Sequence, residues 1–190
     1  YPWSSLADIP TRFGDYSPKN WDGLYIGFRT ARDMLRWSRN IPAVRVVTTI
    51  GVNNYLDNAR AFGYTTYEDY NNYGQSVILG GADIYLDEHA QAYGVFANGG
   101  DLVKLNPILK IEDSNGNIVY SANPQREPVA DRYGISQVNQ ILYRLDTLAA
   151  PVYWDERDVA GKTGTTEENK DVLLVVYSPD FVTLAWGGNN

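Results

Sequence analysis

Three strand-like segments separated by short turns close the chain, and they constrain its fold more than any other feature. They span residues 160–166, 172–177 and 181–186. Valine, leucine, tyrosine and tryptophan dominate the second and third segments, which is typical of strands. Turns this short join neighbouring strands in antiparallel order. The sequence therefore predicts an antiparallel sheet at the end of the chain.

Helical patterns fill most of the chain before these strands. Thr30 with Asp33 three residues later is typical of a helix start. Pro42 suits the first turn of a following helix, which Gly51 should end. The part before the sheet is therefore predicted to be mainly helical. Three further helices are predicted at residues 53–62, 84–97 and 134–150.

Non-helical segments separate these helices. Residues 1–27 are rich in Pro, Gly, Ser and aromatic residues and are predicted to be extended. Residues 64–81 are polar and rich in Tyr and Asn, so a loop or lid is predicted there. Asn115-Gly116 between alternating apolar residues predicts a β-hairpin. A helical part followed by a β-rich end makes the predicted fold class α+β.

The composition excludes several kinds of site. The 190 residues carry a formal net charge of -7, which argues against nucleic acid or an anionic membrane surface as a partner. Without cysteine there is no disulfide or thiolate metal site. The single histidine, His89, rules out a multi-histidine metal site and disfavours a Ser-His-Asp triad. No metal and no cofactor are predicted, and His89 is expected to be a packed helix residue.

The sharpest local motif lies on the first predicted closing strand and reads Lys162-Thr163-Gly164-Thr165-Thr166. Thr163 and Thr165 project to one side because strand side chains alternate, and Gly164 lets a ligand approach the backbone. Two hydroxyls beside the positive field of Lys162 could hold a substrate carboxylate. The alternative for so short a motif is an exposed strand end without function.

A second motif, Ser38-Arg39-Asn40, follows the first helix and precedes Ile41-Pro42. A hydroxyl and a carboxamide two residues apart can face one cleft where the backbone is extended or turned. Serine and asparagine are also common at helix ends, so the motif alone carries little functional weight.

Together the motifs resemble the S-D-N-like triplet and the K-T-G of penicillin-binding and serine β-lactamase-type acyltransferases. The resemblance to class A penicillin-binding proteins is collinear over nearly the whole chain. It includes Tyr16-Ser17-Pro18-Lys19-Asn20, Gly27-Phe28-Arg29-Thr30-Ala31, Leu79-Gly80-Gly81-Ala82-Asp83, Gln91-Ala92-Tyr93-Gly94-Val95-Phe96, Asp171 and Tyr177-Ser178-Pro179-Asp180. The resemblance implies the penicillin-binding/serine β-lactamase-like transpeptidase fold, with helices beside an antiparallel sheet. It also implies acyl transfer at a D-alanyl-D-alanine stem peptide, which cross-links peptidoglycan, and binding of β-lactams.

The resemblance also assigns roles to individual residues. Ser38 would shuttle a proton to the leaving amine, and Asn40 would hydrogen-bond the substrate's amide carbonyl. Lys162 would polarise Ser38 and stabilise anionic charge. The substrate-binding residues would be Thr163, Gly164, Thr165 and Thr166. Of these four residues, Thr163 and Thr165 would hold the substrate carboxylate, and the Thr165 N–H would donate to the oxyanion.

One family motif is missing, because no serine of this chain has a lysine three residues later. The S-x-x-K nucleophile is expected upstream of Tyr1, so residues 1–190 are expected to be a partial transpeptidase domain truncated at both ends and inactive alone. The full protein is expected to be extracytoplasmic, with its membrane anchor outside this segment. The alternatives are a D,D-carboxypeptidase or serine β-lactamase, and a non-catalytic module that binds peptides or β-lactams.

Overall fold

The computed structural model describes residues 1–146, 151–152, 158–166 and 170–188, which form five α-helices and eleven short strands. Two 3-10 turns, Tyr70–Asn72 and Gln75–Leu79, lie between the third and fourth helices. The helices are α1 (Ala31–Arg36), α2 (Asn40–Ile50), α3 (Val52–Ala61), α4 (Leu86–Ala97) and α5 (Arg132–Leu142). The strands are β1 (Ser5–Asp8), β2 (Gly27–Thr30), β3 (Asp101–Val103), β4 (Lys110–Glu112), β5 (Ile118–Ser121), β6 (Arg126–Pro128), β7 (Leu145–Asp146), β8 (Pro151–Val152), β9 (Ala160–Thr165), β10 (Asp171–Tyr177) and β11 (Val182–Gly188).

The predicted closing sheet is confirmed. Its strands lie in the order β11-β10-β9, and both pairs are antiparallel. Lys162 pairs with Val175, which is fully buried, and Gly164 pairs with Leu173. Strand β9 is thus an edge strand in the described part of the sheet, and the Lys162–Thr166 motif runs along that edge.

The N-terminal segment is extended as predicted, but it also forms a sheet that the sequence pattern did not indicate. Strand β1 pairs with β2 in antiparallel register, from Ser5 opposite Thr30 to Asp8 opposite Gly27. Asp8 is fully buried at the end of this pair. The pairing brings the first residues of the chain next to the start of α1 and α2.

The predicted helix boundaries hold within two residues for the first four helices. The Thr30 hydroxyl accepts a hydrogen bond from the Asp33 N–H at 3.1 Å and caps α1. Gly51 ends α2 with φ of +90°, a left-handed conformation that glycine adopts without a Cβ clash.

The predicted helix over 134–150 is wrong at residues 143–146, which are not helical. Helix α5 ends at Leu142, and Tyr143 and Arg144 leave it to contact β9. The Arg144 N–H donates to the Val159 carbonyl at 3.0 Å, and Tyr143 forms a bridge with Ala160. These tertiary hydrogen bonds replace the next helical turn, and residues 147–150 lie outside the described residues.

The segment predicted as a loop or lid packs against the core. Tyr67 and Val77 are buried and contact Leu56 and Ala59 of α3. Its Tyr64 hydroxyl lies 2.5 Å from Nδ1 of His89, which is half-buried on α4 as expected. Aromatic rings therefore fix residues 64–81 to the helical part.

The predicted Asn-Gly hairpin is confirmed as β4 and β5. The Asp113 carboxylate accepts hydrogen bonds from the N–H groups of Asn115 and Asn117, at 2.9 and 2.8 Å. Every residue of both strands is exposed, so the hairpin extends away from the core.

The sheet joins the helices through a buried cluster that contains Ile141 and Leu142 of α5, Ala160 of β9 and Tyr177 of β10. Residues of α4 pack against the same cluster. The start of β9 is therefore fixed against two helices. Within the described ranges, no helix combines the length and apolar character that a membrane span requires.

Candidate active site

The two motifs that the sequence separates by 124 positions meet in the structure. The Lys162 Nζ donates a hydrogen bond to the Ser38 Oγ and a second one, at 2.9 Å, to the Thr163 carbonyl. Lys162 reaches Ser38 from β9, and Ser38 lies in the turn between α1 and α2. A hydroxyl and an ammonium group thus form one polar centre at the edge of the sheet.

The environment of Lys162 changes its protonation equilibrium. Burial disfavours the charged ammonium and lowers the pKa of Lys162 to about 8. The group therefore stays mainly cationic at neutral pH but loses its proton under mildly alkaline conditions. A cation of this kind can hold an anion and polarise the hydroxyl that it contacts.

Ser38 has an unusual backbone conformation. Its φ is +51°, in the left-handed region that residues with a Cβ rarely adopt. This conformation costs roughly 1 kcal/mol, so the surrounding structure must hold it. It turns the chain sharply from α1 into α2 and directs the hydroxyl toward β9.

Asn40 is the first residue of α2, and a neighbouring segment holds it at two points. Its backbone N–H donates to Oδ1 of Asn20 at 2.9 Å. Its side-chain Nδ2 donates to the carbonyl of Lys19 at 2.8 Å. The amide group carries two hydrogens, so a second one can serve a substrate carbonyl.

Arg39, between Ser38 and Asn40, is buried in an ionic network. Its Nε donates to Asp8 Oδ2 and its Nη1 to Asp22 Oδ2, both at 2.8 Å. The exposed fractions of the side chains are 4% for Arg39, 0% for Asp8 and 20% for Asp22. The network anchors Arg39, the middle residue of the Ser38-Arg39-Asn40 motif, to Asp8 and Asp22.

These contacts shift both partners toward their charged forms. Burial alone lowers the pKa of the Arg39 guanidinium, but the hydrogen bonds to Asp22 and Asp8 outweigh it and leave the pKa raised. The hydrogen bond from Arg39 lowers the pKa of Asp22, against the opposing effect of burial. Arg39 and Asp22 therefore form an ion pair over the physiological pH range.

The remaining residues of the strand motif line the open edge of β9. Gly164 and Thr165 are exposed, and Thr163 is half-buried. A methyl group at Gly164 would lie 3.8 Å from Leu173 Cβ, an ordinary contact, so packing inside the chain does not require glycine there. The arrangement leaves room for a ligand along the backbone of β9.

Thr166 differs from the other threonines of the motif because its hydroxyl is already bonded to Asp171. The hydroxyl donates to Asp171 Oδ2 at 3.1 Å and accepts from the Asp171 N–H at 2.9 Å. The Trp186 Nε1 donates to the other carboxylate oxygen at 3.1 Å. This geometry ties the end of β9 to β10 and β11, and substrate binding by Thr166 stays a prediction.

The structure therefore brings Lys162 into contact with Ser38. Asn40 lies two residues after Ser38 at the start of α2, and the predicted substrate-binding residues Thr163, Gly164 and Thr165 follow Lys162 on β9. Pattern reasoning missed Asp8 and Asp22 because nothing in their local sequence links them to Ser38. For Asn20, the only sequence signal was its place in Tyr16-Ser17-Pro18-Lys19-Asn20, one of the segments that resemble the family. Among the described residues, no three His, Asp or Glu side chains come close enough together to hold a metal ion.

One protein-family model matches most of the chain. Residues 7–172 match the penicillin binding protein transpeptidase domain. Penicillin-binding protein 1A of Neisseria meningitidis serogroup A is 35% identical over 181 residues, which cover 91% of this chain and 22% of that protein. The counterpart from Pseudomonas aeruginosa is 29% identical, over 97% of this chain and 29% of that protein. The chain thus spans between a fifth and a third of the length of these relatives.

Solved structures share the fold. Penicillin-binding protein 1A from Haemophilus influenzae aligns with a TM-score of 0.81 and 24% identity, covering all of this chain and 35% of that one. The Mycobacterium tuberculosis PonA1 protein, solved in complex with penicillin V, aligns with a TM-score of 0.83 and 21% identity. That alignment covers 98% of this chain and 54% of PonA1.

Proposed function

This chain belongs to the penicillin-binding protein transpeptidase domain family, and we propose that it is part of a D,D-transpeptidase. In a longer protein it would act on peptidoglycan stem peptides that end in D-alanyl-D-alanine. The family model covers residues 7–172, which include both candidate motifs.

One observation carries this proposal: the Lys162 ammonium donates a hydrogen bond to the Ser38 hydroxyl. The two residues come from different elements and from opposite parts of the chain. Neither motif is specific alone, but a lysine in contact with a hydroxyl can take the proton-transfer role that histidine has in other acyltransferases. The single histidine, His89, lies on α4 and bonds to Tyr64 instead.

The reaction would use a serine nucleophile from an S-x-x-K segment, which this sequence does not contain. That serine would attack the carbonyl of the penultimate D-alanine and form an ester, and the terminal D-alanine would leave as a free amine. Ser38 would pass a proton to the leaving nitrogen, with Lys162 polarising its hydroxyl. An amine of a second stem peptide would then attack the ester and regenerate the serine.

Substrate binding would use the open edge of β9. The terminal carboxylate of the substrate would lie beside Lys162 and the hydroxyls of Thr163 and Thr165. The second hydrogen of the Asn40 amide would bind the substrate's amide carbonyl, and the Thr165 N–H would donate to the oxyanion. The exposed backbone at Gly164 supports such a close approach.

The same groups would accept a β-lactam, whose carboxylate and strained amide mimic the end of the stem peptide. The solved complex of PonA1 with penicillin V supports this for a protein of the same fold. The longer protein would work outside the cytoplasm, tethered to the membrane by a segment that lies beyond these residues.

Labelling with a fluorescent penicillin, read by intact-protein mass, tests the proposal. It should be applied to this chain and to the longer protein that contains an S-x-x-K segment. We expect one covalent adduct on the longer protein and none on this chain. If this chain itself is acylated, Ser38 or another of its serines is the nucleophile. If neither is labelled, a non-catalytic binding module replaces the transpeptidase.

Labelling alone does not show whether the acyl group is transferred to an amine or to water. Incubation of the longer protein with a D-alanyl-D-alanine stem peptide and an amine acceptor, followed by mass spectrometry, makes that distinction. A cross-linked product supports transpeptidation. Release of D-alanine with only hydrolysed peptide would instead identify a carboxypeptidase.

A further inference from the structure

A buried polar network holds the Ser38-Arg39-Asn40 turn from the side of β1. It consists of Asp8, Asn20 and Arg39, with exposed fractions of 0%, 4% and 4%. These residues come from β1, from the loop after it and from the turn itself. Buried polar groups are costly unless they are fully hydrogen-bonded, so their arrangement calls for an explanation.

Asn20 caps helix α2 from a distance of twenty residues. The residue at the N-cap position, Arg39, makes no side-chain cap. Instead, Asn20 Oδ1 accepts the N–H of Asn40 at 2.9 Å and lies 3.5 Å from the N–H of Ile41. These are two of the amides that the start of a helix leaves without intrahelical partners.

The orientation of the Asn20 amide is set by its own partners. Its Nδ2 donates to Asp8 Oδ1 at 2.6 Å and to the Leu24 carbonyl at 2.8 Å. Since both of these are acceptors, the nitrogen must face them and the oxygen must face α2. Asp8 in turn uses its other oxygen for Arg39 Nε. Asn20 and Arg39 therefore both donate to the Asp8 carboxylate, which links them to each other at the turn.

We propose that Asn20 is a positioning residue, which with Asp8 and Arg39 holds the left-handed Ser38 and the Asn40 amide in the geometry that acyl transfer needs. The proposal rests on the proposed transpeptidase function. Asn40 has no freedom to shift along α2 while Asn20 binds its N–H and the neighbouring Lys19 carbonyl binds its side chain. A displacement of about 1 Å at such a group can lower a reaction rate by about 100-fold.

The first test compares Asn20→Ala with Asn139→Ala in the longer protein. Asn139 is a matched control, because its amide also bridges elements, from the Phe96 carbonyl to the Tyr177 hydroxyl, but away from Ser38. We expect Asn20→Ala to lower the rate constant of penicillin acylation by about tenfold or more, with a smaller effect on the binding constant. Asn139→Ala should change the acylation rate less than about threefold even if its melting temperature falls equally. Equal rates in the two variants would overturn the proposal.

The second test exchanges the two side chains. Asn20→Asp places two carboxylates in contact. Asp8→Asn turns an NH2 group toward another donor, either the Asn20 NH2 or the Arg39 Nε–H, so each single variant should lose activity. The double variant Asp8→Asn/Asn20→Asp restores the donor and the acceptor between positions 8 and 20 at the same formal charge. Its new carboxylate also faces the Leu24 carbonyl, which Arg39 continues to bind, so the restoration is partial. We expect the double variant to acylate at least about tenfold faster than either single variant. A double variant as slow as the single variants would overturn the proposal, and this test remains decisive if Asn20→Ala does not fold.

A third readout does not depend on activity. The backbone amides of Asn40 and Ile41 should exchange with deuterium faster in Asn20→Ala than in wild type, and slowly again in the double variant. Unchanged exchange at Asn40 would overturn the proposal. If the wild-type protein is not acylated at all, the transpeptidase function fails, and the exchange rates still decide whether Asn20 holds this turn.

Discussion

The two walls of the candidate site are held in place by different physical means. On the helix side, the Ser38–Asn40 turn depends on side chains of Asp8, Asn20 and Asp22, which reach it from a distant part of the chain. On the strand side, the Lys162–Thr166 motif is held by the backbone ladder of β9 with β10. The Lys162 side chain of this motif contacts Ser38 and takes no part in the ladder.

This difference predicts how each wall responds to substitution. Removal of one partner of a buried ion pair strongly destabilises the folded protein, because the other charge stays buried without compensation. A ladder shares its hydrogen bonds among many backbone groups, so no single side chain is essential for it. The helix side should therefore be fragile toward changes that the strand side tolerates.

Arg39→Ala tests the fragile wall and should have the largest effect on stability. The substitution leaves the fully buried Asp8 and the largely buried Asp22 without their cation. We expect the free energy of unfolding to fall by about 3–5 kcal/mol, measured by chemical denaturation.

Arg12→Ala is the matched control for a cation in an exposed pair. Its pair with Asp15 has side chains that are 70% and 105% exposed. Because water screens this pair, its loss should cost under about 1 kcal/mol. A similar loss in both variants would show that burial does not distinguish the helix side.

Lys162→Arg tests the strand side through the pH dependence of acylation. Burial lowers the pKa of Lys162 to about 8, so the wild-type group loses its charge as pH rises through 8. If the cation holds the substrate carboxylate, acylation should fall about tenfold per pH unit above that value. Arginine keeps its charge to above pH 12, so this alkaline decline should be absent in the variant.

The control for this titration is Lys104→Arg, which changes an exposed lysine outside the site. It should retain the wild-type pH profile of acylation. A decline near pH 8 that persists in Lys162→Arg would assign the titration to another group. Stability should change little in either variant, in contrast to Arg39→Ala.

The smallest effect is expected at the end of the strand motif. Thr166→Val and Asp171→Ala both remove the hydrogen bond between these two side chains, and each should lower the free energy of unfolding by about 1–2 kcal/mol. The double variant should lose about 1 kcal/mol less than the sum of the two. Strictly additive losses in chemical denaturation would show that the bond does not stabilise the strand side.

The prediction from sequence was accurate wherever local pattern and local structure agree. The Thr30 cap, the Gly51 stop, the Asn-Gly hairpin and the three closing strands all depend on residues within a few positions of one another. The predicted helix over 134–150 was wrong at residues 143–146, where Arg144 bonds to Val159 just before β9. The segment over 64–81 was expected as a loop or lid, and it has two 3-10 turns without an α-helix or strand, with the buried Tyr67 and Val77 packed against α3.

The sequence by itself determined the α+β class and the family, since motifs and periodicity are properties of neighbouring residues. It also gave the prediction that Ser38, Asn40 and Lys162 are site residues. Only the tertiary structure decided that Lys162 contacts Ser38 and that Asp8 and Asn20 hold the turn. It also showed that Asp171 engages the Thr166 hydroxyl. Such contacts join residues that the backbone separates by up to 124 positions, and burial strengthens them by excluding water. No local sequence pattern specifies which residues make these contacts or how deeply they are buried, because both depend on how the helices and strands pack.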